Sequence, residues 1–531
     1  MKTIYYNGVI YTGMLPLQEA FSVEKGKFCE IGSNEDAAKW NADSRIDLQG
    51  KFVCAGFNDS HMHLLNYGQS LTVASLADHT RSLADVIQCL REAKPGRGGW
   101  IIGRGWNQDY FEDEQRMPDR YDLDLVSREY PVCAVRACGH ALSVNSRALE
   151  LLNITGDTCA PEGGEIVREG DIPKGIFFDN AMDMVLNAIA APDKDDIKKM
   201  IRLACKKLNA YGITSCQSDD YCVFHNLPWQ TINEAYQELE AAGELSVRVY
   251  QQANFTTKSA LQEFIDAGNI TGKGSECFRI GPLKMLGDGA LGARTAFLSH
   301  AYADAPDTRG LSVFSKDEFE ELIGLAHCSG MQTAIHCIGD ACLDLVLEAI
   351  EKALNTYPRK NHRHGIVHCQ ITRQDQLEKM ASLGLQIYAQ SIFLDYDIHM
   401  VHQRVGNELS ETSYHWKWLR DNGCHVSNGS DCPVEKPDVL AGIQCAVTRM
   451  DLNGWGPYLP DESFSVQEAL ESFTSDGAWA SFEENIKGKM EPGMLADFVV
   501  LGENPFETDP KELKNIPILK TVLGGKLVYE V

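Results

Sequence analysis

The middle of this chain alternates short apolar segments with amphipathic segments, and this alternation restricts the fold more than any other feature of the sequence. Strands that alternate with helices pair in parallel, and about eight such repeats predict a TIM-like (β/α)8 barrel of the α/β class. The predicted strands are Ile213–Ser218, Ser246–Gln252, Phe278–Gly287, Gln332–Cys337, Gly365–Gln370, Gln386–Ser391 and His425–Gly429. The predicted helices lie near Gln230–Ala242, Lys316–Ser329, Ala341–Thr356 and Arg373–Leu383.

The two ends of the chain have a different pattern, because both are rich in short strands separated by turn dipeptides. The N-terminal turns are Asn7-Gly8, a hairpin-type dipeptide inside Thr3–Ile10, and Lys25-Gly26, and the C-terminal turn is Gly524-Gly525. Two β-rich ends around one long middle predict a single small sheet domain assembled from both termini. Residues 72–180 fit the barrel rhythm poorly and are rich in Gly, Arg and Asp, so they are predicted to be an insertion over the barrel mouth.

Composition excludes several classes of function. The formal net charge of −26 argues against nucleic-acid binding, which needs a basic surface. The 17 cysteines include no Cys-x-x-Cys pair and are spread over 531 residues, as in a protein with reduced thiols. No signal peptide and no apolar run of about 18 residues is evident, so we expect a cytoplasmic protein without a membrane span. The charge leaves a homodimer open.

Two histidines separated by one residue, His61 and His63, give the strongest indication of chemistry. They follow the apolar stretch Phe52–Phe57, so an extended backbone would direct both imidazoles to the same side. Imidazole nitrogen suits zinc, iron, nickel and related metals. An isolated His-x-His is more often a pair of ordinary polar residues on a strand, so this motif alone leaves both interpretations open.

Three more residues of ligand type lie where predicted strands end. His336 and His368 each end an apolar run, and Asp431 follows another. Barrel enzymes place their chemistry at the carboxyl ends of the strands. Each residue alone can be structural, but the convergence of four such positions at one end of a barrel predicts a metal-dependent enzyme.

Lys284 lies inside the apolar run of a predicted strand. A lysine that points into a barrel loses its charge by desolvation, and the neutral amine can add carbon dioxide to give a carbamate that bridges two metals. Alternatively, the side chain reaches outward to solvent or pairs with Asp288. The physical properties of lysine by themselves favour this second, structural interpretation.

Six motifs together resemble the amidohydrolase superfamily, and more narrowly its amidohydrolase-3 (YtcJ-like) branch, which includes an N-substituted formamide deformylase. The resemblance covers nearly the whole chain. The motifs are Gly56–His63, Lys284–Ala296, His336–Asp340, His368–Gln370, Gly429–Val434 and Gly493–Phe498.

The resemblance implies a domain organisation and a set of ligands. A β-sandwich-like domain would comprise residues 1–54 plus 485–531, the hydrolase barrel 55–484, and an inserted α+β subdomain 72–180. His61 and His63 would bind the more buried metal with Asp431 nearby, His336 and His368 would bind a second metal, and Lys284 would be the carboxylated bridge. One or two divalent ions are implied, with zinc as the expected metal, although iron and manganese also suit such sites.

The implied reaction is hydrolysis of an amide-type carbon–nitrogen bond in a small molecule by metal-activated water. Asp431 is the candidate general base, which would return its proton to the leaving amine. Arg294 is a candidate substrate contact or a structural ion-pair partner of Asp288 or another acid. Trp106 is a candidate apolar wall of the substrate site or a packed core residue. His327, His362 and His364 are expected on helix or loop surfaces without a role.

Two alternatives stay open. A deaminase of the same superfamily typically uses one metal and a Glu shortly after the fifth-strand histidine, but Cys-Ile-Gly-Asp-Ala follows His336 here. A non-catalytic scaffold with the same fold is the other alternative, since fold does not imply function. Such proteins usually lack ligands, and all six candidates are present in this sequence. The substrate is not specified by any of these motifs.

Overall fold

The computed structural model describes residues 1–77, 81–137, 140–161, 163–224 and 227–531. The described residues form two compact units, one of residues 1–64, 205–222 and 236–531 and the other of residues 65–204 and 223–235. The predicted insertion, residues 72–180, falls within residues 65–204 of the second unit. The predicted domain bounds themselves stay a prediction. No helix in the described part of the chain combines the length and the apolar character needed to cross a membrane.

The larger unit contains the barrel, so the predicted (β/α)8 fold is confirmed. Its sheet consists, within the described residues, of eight strands whose hydrogen-bonded neighbours all run parallel. In chain order the strands are Phe57–Met62, Ile213–Asp219, Arg248–Asn254, Phe278–Leu286, Thr333–Cys337, Gly365–His368, Gln386–Ala389 and His425–Asn428. Most bounds differ from the predicted ones by one or two residues.

Backbone contacts bring the first and eighth barrel strands together just beyond their carboxyl ends. The amide of Asp431 donates to the carbonyl of His61 and the amide of His63 donates to the carbonyl of Cys432, each over 2.8 Å. Gly429 makes this approach feasible, because a Cβ there would lie 2.5 Å from the backbone nitrogen of His61. The closure therefore depends on a residue without a side chain.

Helices follow the barrel strands along the chain. Their starts carry local signals, as at Ser315, whose hydroxyl accepts from the amide of Glu318 while the Glu318 carboxylate accepts from the amide of Ser315. The helices are Leu64–Ser70, Lys194–Ala210, Trp229–Ala241, Lys258–Asp266, Lys316–Cys328, Asp340–Thr356, Gln374–Leu383, Leu394–Asp397, Val401–Ser410, Trp416–Asp421, Val439–Thr448, Val466–Ser472 and Ser475–Ala480.

The two termini form two facing sheets that share one apolar core, as the β-rich ends predicted. One sheet has the order Lys27–Gly32, Ala20–Glu24, Lys2–Tyr6 and Ser44–Asp47, with a short helix at Asn34–Ala37. The other has the order Val9–Ile10, Phe52–Ala55, Phe498–Leu501, Ile518–Leu523 and Lys526–Glu530. Their shared core includes Phe21, Phe28, Val53, Phe498 and Val500. The predicted turns at Lys25-Gly26 and Gly524-Gly525 both join antiparallel neighbours.

The hairpin suggested by Asn7-Gly8 is wrong. Lys2–Tyr6 pairs with Ala20–Glu24, whereas Val9–Ile10 pairs with Phe52–Ala55 in the other sheet. Asn7 has a φ of 55°, which is the left-handed conformation that this type of dipeptide favours. The dipeptide thus redirects the chain from one sheet into the other, because each flanking strand pairs with a strand that is not its neighbour in sequence.

The smaller unit is a mixed sheet with helices, as predicted for an α+β insertion. Its strand order is Gly164–Glu169, Ile172–Asp179, Ala141–Val144, Val132–Arg136, Ile101–Trp106 and Ala74–Ser75. Its helices within the described residues include Leu83–Glu92, Arg120–Asp124, Ser146–Leu151 and Asp183–Leu186. Two apolar clusters form its core, one around Phe177 and one around Trp106.

Candidate metal centre

His61 and His63 lie at the carboxyl end of the first barrel strand, Phe57–Met62, every residue of which is buried. Only Met62 separates His61 from His63, so the two side chains project to the same side of the chain. Their ring centroids are 5.3 Å apart. The ring of His61 is fully buried, and that of His63 is partly open. The sequence motif therefore does direct two imidazoles toward one point.

Asp431 joins these two histidines from the loop after the eighth strand. Its Oδ1 lies 3.0 Å from Nε2 of His63 and 3.3 Å from Nε2 of His61. The ligand atoms of the three residues all lie within 4.8 Å of one another, which makes them a group able to hold a metal ion. Asp431 has a φ of 58°, so the backbone turns sharply where the carboxylate is presented.

The three ionisable groups are strongly coupled. Burial favours the neutral form of Asp431, but hydrogen bonds from His61 and His63 outweigh burial and hold its pKa well below the usual range. Burial disfavours the His63 cation, yet the bond and charge of Asp431 raise the pKa of His63 to about 9. Burial, followed by the charge of Lys284, lowers the pKa of His61 to about 3. A bound cation would take the place of the proton that now links His63 to Asp431.

Three buried nitrogen atoms lie at this end of the barrel without a partner, and one of them, Nζ of Lys284, supports a metal there. Nδ1 of His61, Nδ1 of His368 and Nζ of Lys284 have no hydrogen-bond partner among the residues that the structure describes. A buried polar atom without a partner costs about 1–3 kcal/mol, so three of them at one end of a barrel call for an explanation. A carbamate on Lys284 that binds a cation would account for Nζ, whereas Nδ1 of His61 faces away from the Nε2 that points to Asp431. Imidazole with carboxylate is a donor set that suits divalent metals.

The structure contradicts the interpretation of Lys284 as a lysine that reaches solvent or pairs with Asp288. It lies on the strand Phe278–Leu286 and is fully buried, so the side chain does not reach solvent. It makes no ion pair with Asp288, whose carboxylate instead accepts from the amides of Phe297, Ile338 and Gly339. Burial lowers the pKa of Lys284. A lowered pKa favours the neutral amine that carbamate formation requires.

His336 and His368 lie beside each other at the ends of the fifth and sixth strands. Their ring centroids are 4.5 Å apart, and that of His368 is 5.6 Å from that of His61. Nε2 of His336 lies 3.0 Å from the carbonyl oxygen of Gly289 and 3.3 Å from Oδ1 of Asp288. Burial, and then the charge of His336, holds the pKa of His368 well below its usual value. The barrel thus gathers all six predicted ligands at one end.

Two further acidic residues lie at this end of the barrel and were not among the predicted site residues. Asp219 ends the second strand; its carbonyl oxygen accepts from Nδ1 of His63 over 3.3 Å, and its carboxylate accepts from Nδ2 of Asn254 over 3.3 Å. Asp288 was considered only as an ion-pair partner, yet it lies against His336. The same strand-end rule that found His336 would have found Asp219, because Asp219 directly follows the predicted strand Ile213–Ser218.

The two predicted substrate contacts each have a partner within the protein. Arg294 forms a bidentate pair with Asp304, at 2.8 and 3.1 Å, rather than with Asp288. Trp106 is fully buried in the smaller unit, where its indole N–H donates to the carbonyl of Ala134 over 3.0 Å. Contact of either residue with substrate stays a prediction.

The surface prediction for three other histidines is wrong. His327, His362 and His364 are buried, and Nδ1 of His327 lies 2.8 Å from Nε2 of His364. They lie at the start of the fifth and sixth barrel strands, because His364 immediately precedes Gly365–His368 and Nδ1 of His364 accepts from the amide of Thr333. A histidine before a strand or within a helix can face either solvent or the core, so the sequence did not reveal this burial.

The chain is similar to known proteins over the residues that form this site. A model of the Amidohydrolase family matches residues 45–529. The chain is 34% identical to YtcJ of Bacillus subtilis (strain 168), which is named as an amidohydrolase, over 100% of both chains. It is 28% identical to the N-substituted formamide deformylase of Arthrobacter pascens, over 96% of this chain and 95% of that protein.

A solved structure is similar as well. The crystal structure of an uncharacterized metal-dependent hydrolase from Pyrococcus horikoshii OT3 superposes with a TM-score of 0.80 at 29% identity. That comparison covers 96% of this chain and 99% of the other. The matched range of 45–529 includes every barrel strand and all six predicted ligands.

Proposed function

The chain belongs to the amidohydrolase family, and on that premise we propose that it is a metal-dependent hydrolase that cleaves an amide-type carbon–nitrogen bond in a small molecule. The observation that carries the proposal is the convergence of His61, His63 and Asp431 on one point. The similarity to a formamide deformylase and to a metal-dependent hydrolase supports it.

The geometry supports a choice of residues that would hold the metal. His61, His63 and Asp431 would hold one divalent ion, with zinc as the expected metal. His336, His368 and a carboxylated Lys284 would hold a second. When bound, such an ion supplies Lewis acidity, which polarises a carbonyl and lowers the pKa of water.

Asp431 would move the proton. Its Oδ1 is the atom nearest to both imidazoles, while Oδ2 takes no hydrogen bond from the described residues. Oδ2 would accept a proton from the attacking water and return it to the leaving nitrogen, because an amine is a far better leaving group than an amide anion. Burial around Asp431 strengthens such a transfer by excluding bulk water.

Leu286 would contact the substrate. It lies two residues after Lys284 on the same face of the strand and is the register neighbour of His336, so its side chain is on the ligand side of the barrel. Unlike the strand residues before it, it is 42% exposed. An apolar side chain open to solvent beside two ligands suits a substrate with an apolar group next to the scissile bond.

The deaminase alternative gains no support from the residues after His336. Asp340, the nearest acid there, is fully buried and bonded to Arg373 at 2.8 Å and to the amide of Ser299 at 2.9 Å. Its carboxylate is therefore already engaged in structural contacts.

Elemental analysis of the purified protein, with and without a chelator, tests the proposal when paired with hydrolysis assays on a panel of N-formyl and N-acyl amines. We expect one or two equivalents of metal per chain and chelator-sensitive release of the amine. Protein that refuses zinc, iron and manganese would overturn the site. Metal-replete protein that releases ammonia from aminated heterocycles, but no amine from the amide panel, would indicate a deaminase instead.

A further inference from the structure

The smaller unit contains a cavity of about 670 Å³ that lies entirely among its own residues. The cavity is formed between the segment after the helix Leu64–Ser70, the end of Leu83–Glu92 with the loop that follows it, and the first turns of Lys194–Ala210. None of the six predicted metal ligands belongs to it. Its size is within the range of small-molecule sites.

Three cations line this cavity, and none of them is in direct contact with a carboxylate of the described residues. The side chains of Lys94, Arg97 and Lys199 make no hydrogen bond and no ion pair with the residues that the structure describes. Arg97 is half-buried, with its guanidinium carbon 5.4 Å from the ring centroid of Phe224. A guanidinium that is withdrawn from water, stacked on a ring and left without an acceptor is positioned for an anionic group.

The two acids that line the cavity offset the three cations only in part, and the charge of Asp196 acts on Arg97. Glu92 accepts from the side-chain amide of Gln88 over 2.8 Å, and Asp196 lies near the backbone amide of Asp193. Three cations against two carboxylates give the lining a net positive charge. In a chain whose formal charge is −26, such a lining is a local exception that attracts anions.

The rest of the lining is largely apolar. Leu71, Val73, Ile102 and Met200 contribute to it, together with an edge of the buried Trp100. An inorganic ion would leave this part in contact with water, whereas an organic anion would bury an apolar body there. The lining therefore matches a ligand with one charged end.

We propose that this cavity binds a small amphipathic anion, with its carboxylate or phosphate group against Arg97 and Lys199 and its apolar body against Leu71, Ile102 and Met200. Arg97 offers paired N–H donors to two oxygens, and Lys199 adds a second positive charge. Carboxylate and phosphate share this chemistry.

Isothermal titration of the full-length metal-loaded protein tests the proposal, with octanoate and octyl phosphate as probes and inorganic phosphate and acetate as headgroup-only probes. We expect saturable binding of one or both octyl probes and at least tenfold weaker binding of the headgroups. The octyl probe that binds more tightly identifies the headgroup. Headgroups that bind as tightly as the octyl probes, or octyl probes that do not bind, would overturn the proposal.

Variants locate the site. Arg97→Gln should weaken binding of the preferred octyl probe at least tenfold, and Arg97→Lys should weaken it less, because lysine keeps the charge but loses the paired donors. Arg128→Gln is the matched control, since Arg128 is an exposed arginine of the same unit that does not line the cavity. Thermal unfolding midpoints check that each variant is folded. Equal binding by folded Arg97→Gln and by the wild type would overturn the assignment.

Discussion

Nε2 of His63 lies 3.0 Å from Oδ1 of Asp431, although 368 positions separate the two residues in the chain. Closure of the barrel produces this contact, because the backbones of the same two segments exchange hydrogen bonds at His61, His63, Asp431 and Cys432. The ligands are therefore fixed by main-chain geometry on both sides. Such a rigid arrangement suits a site that must hold a cation and move a proton.

Asp431→Asn should lower kcat by roughly 10²–10⁴-fold, because an amide oxygen cannot take the proton of the attacking water. Metal content should fall much less than turnover. Rates on the amide panel and elemental analysis of the same preparation measure both effects. Asp266→Asn is the control, since Asp266 is an exposed carboxylate at the end of a barrel helix. Wild-type rates in Asp431→Asn would rule out the general-base role.

Lys284 should carry a carbamate in the metal-loaded protein, since it is buried, has a lowered pKa and has no hydrogen-bond partner in the described residues. After exchange into ¹³C-labelled bicarbonate, carbon NMR should show one protein-bound carbamate signal that Lys284→Met lacks. Lys258→Met is the control, because Lys258 is exposed and paired with Glu321. A metal-loaded wild type without the signal would contradict the proposed carbamate on Lys284.

Leu286→Asp should raise KM for N-acyl amines with apolar acyl groups by on the order of tenfold, because the change places a charge where an apolar group would pack. The effect on kcat should be smaller, since Leu286 is not a ligand. Leu527→Asp serves as the control at an exposed position of the C-terminal sheet. If KM for all substrates is unchanged in Leu286→Asp, the residue does not contact substrate.

The buried histidines should make the fold acid-sensitive. Nε2 of His327 donates to the carbonyl of Tyr357, so its Nδ1 must accept from Nε2 of His364, whose Nδ1 accepts from the amide of Thr333. Both rings are thus neutral, and burial lowers both pKa values below 6.5. Below about pH 6.5 the unfolded chain binds more protons than the folded one, so stability falls as the pH falls.

Thermal unfolding midpoints between pH 7.5 and pH 5 measure this dependence. His327→Gln, which keeps a donor and an acceptor but does not titrate, should show a shallower loss of stability toward acid than the wild type. His300→Gln is the control, because His300 is exposed. The same slope in His327→Gln and the wild type would remove this histidine pair as the cause.

Asp497→Asn should destabilise the protein by roughly 3 kcal/mol, since it leaves the buried guanidinium of Arg248 without its bidentate partner. Glu276, 3.2 Å from the same guanidinium, would still offset part of its charge. Urea unfolding measures the loss. Glu321→Gln, which breaks the exposed pair with Lys258, should cost at most about 1 kcal/mol. Equal losses in the two variants would show that burial of the Arg248 pair is without consequence.

Much of the fold was predictable because its signals are local. The alternation of strands and helices predicted seven of the barrel strands to within a few residues, and the strand-end rule located His336, His368 and Asp431. The first strand was less clear, because the apolar stretch Phe52–Phe57 divides into a sheet strand that ends at Ala55 and a barrel strand that begins at Phe57. Periodicity cannot separate two adjacent strands that are both buried.

The sequence by itself determined the barrel, the sheet domain of the two termini and the types of residue at the strand ends, because strand length, helical period and turn dipeptides act between near neighbours. The tertiary structure decided that Lys284 is enclosed without a partner among the described residues, that Arg294 pairs with Asp304, and that His327 and His364 are buried. The burial of Lys284, His327 and His364 depends on which distant segments exclude water, and the Arg294–Asp304 pair depends on how the loop between the two residues folds. Burial and pairing arise only when the strands close into a barrel, and no local pattern records them.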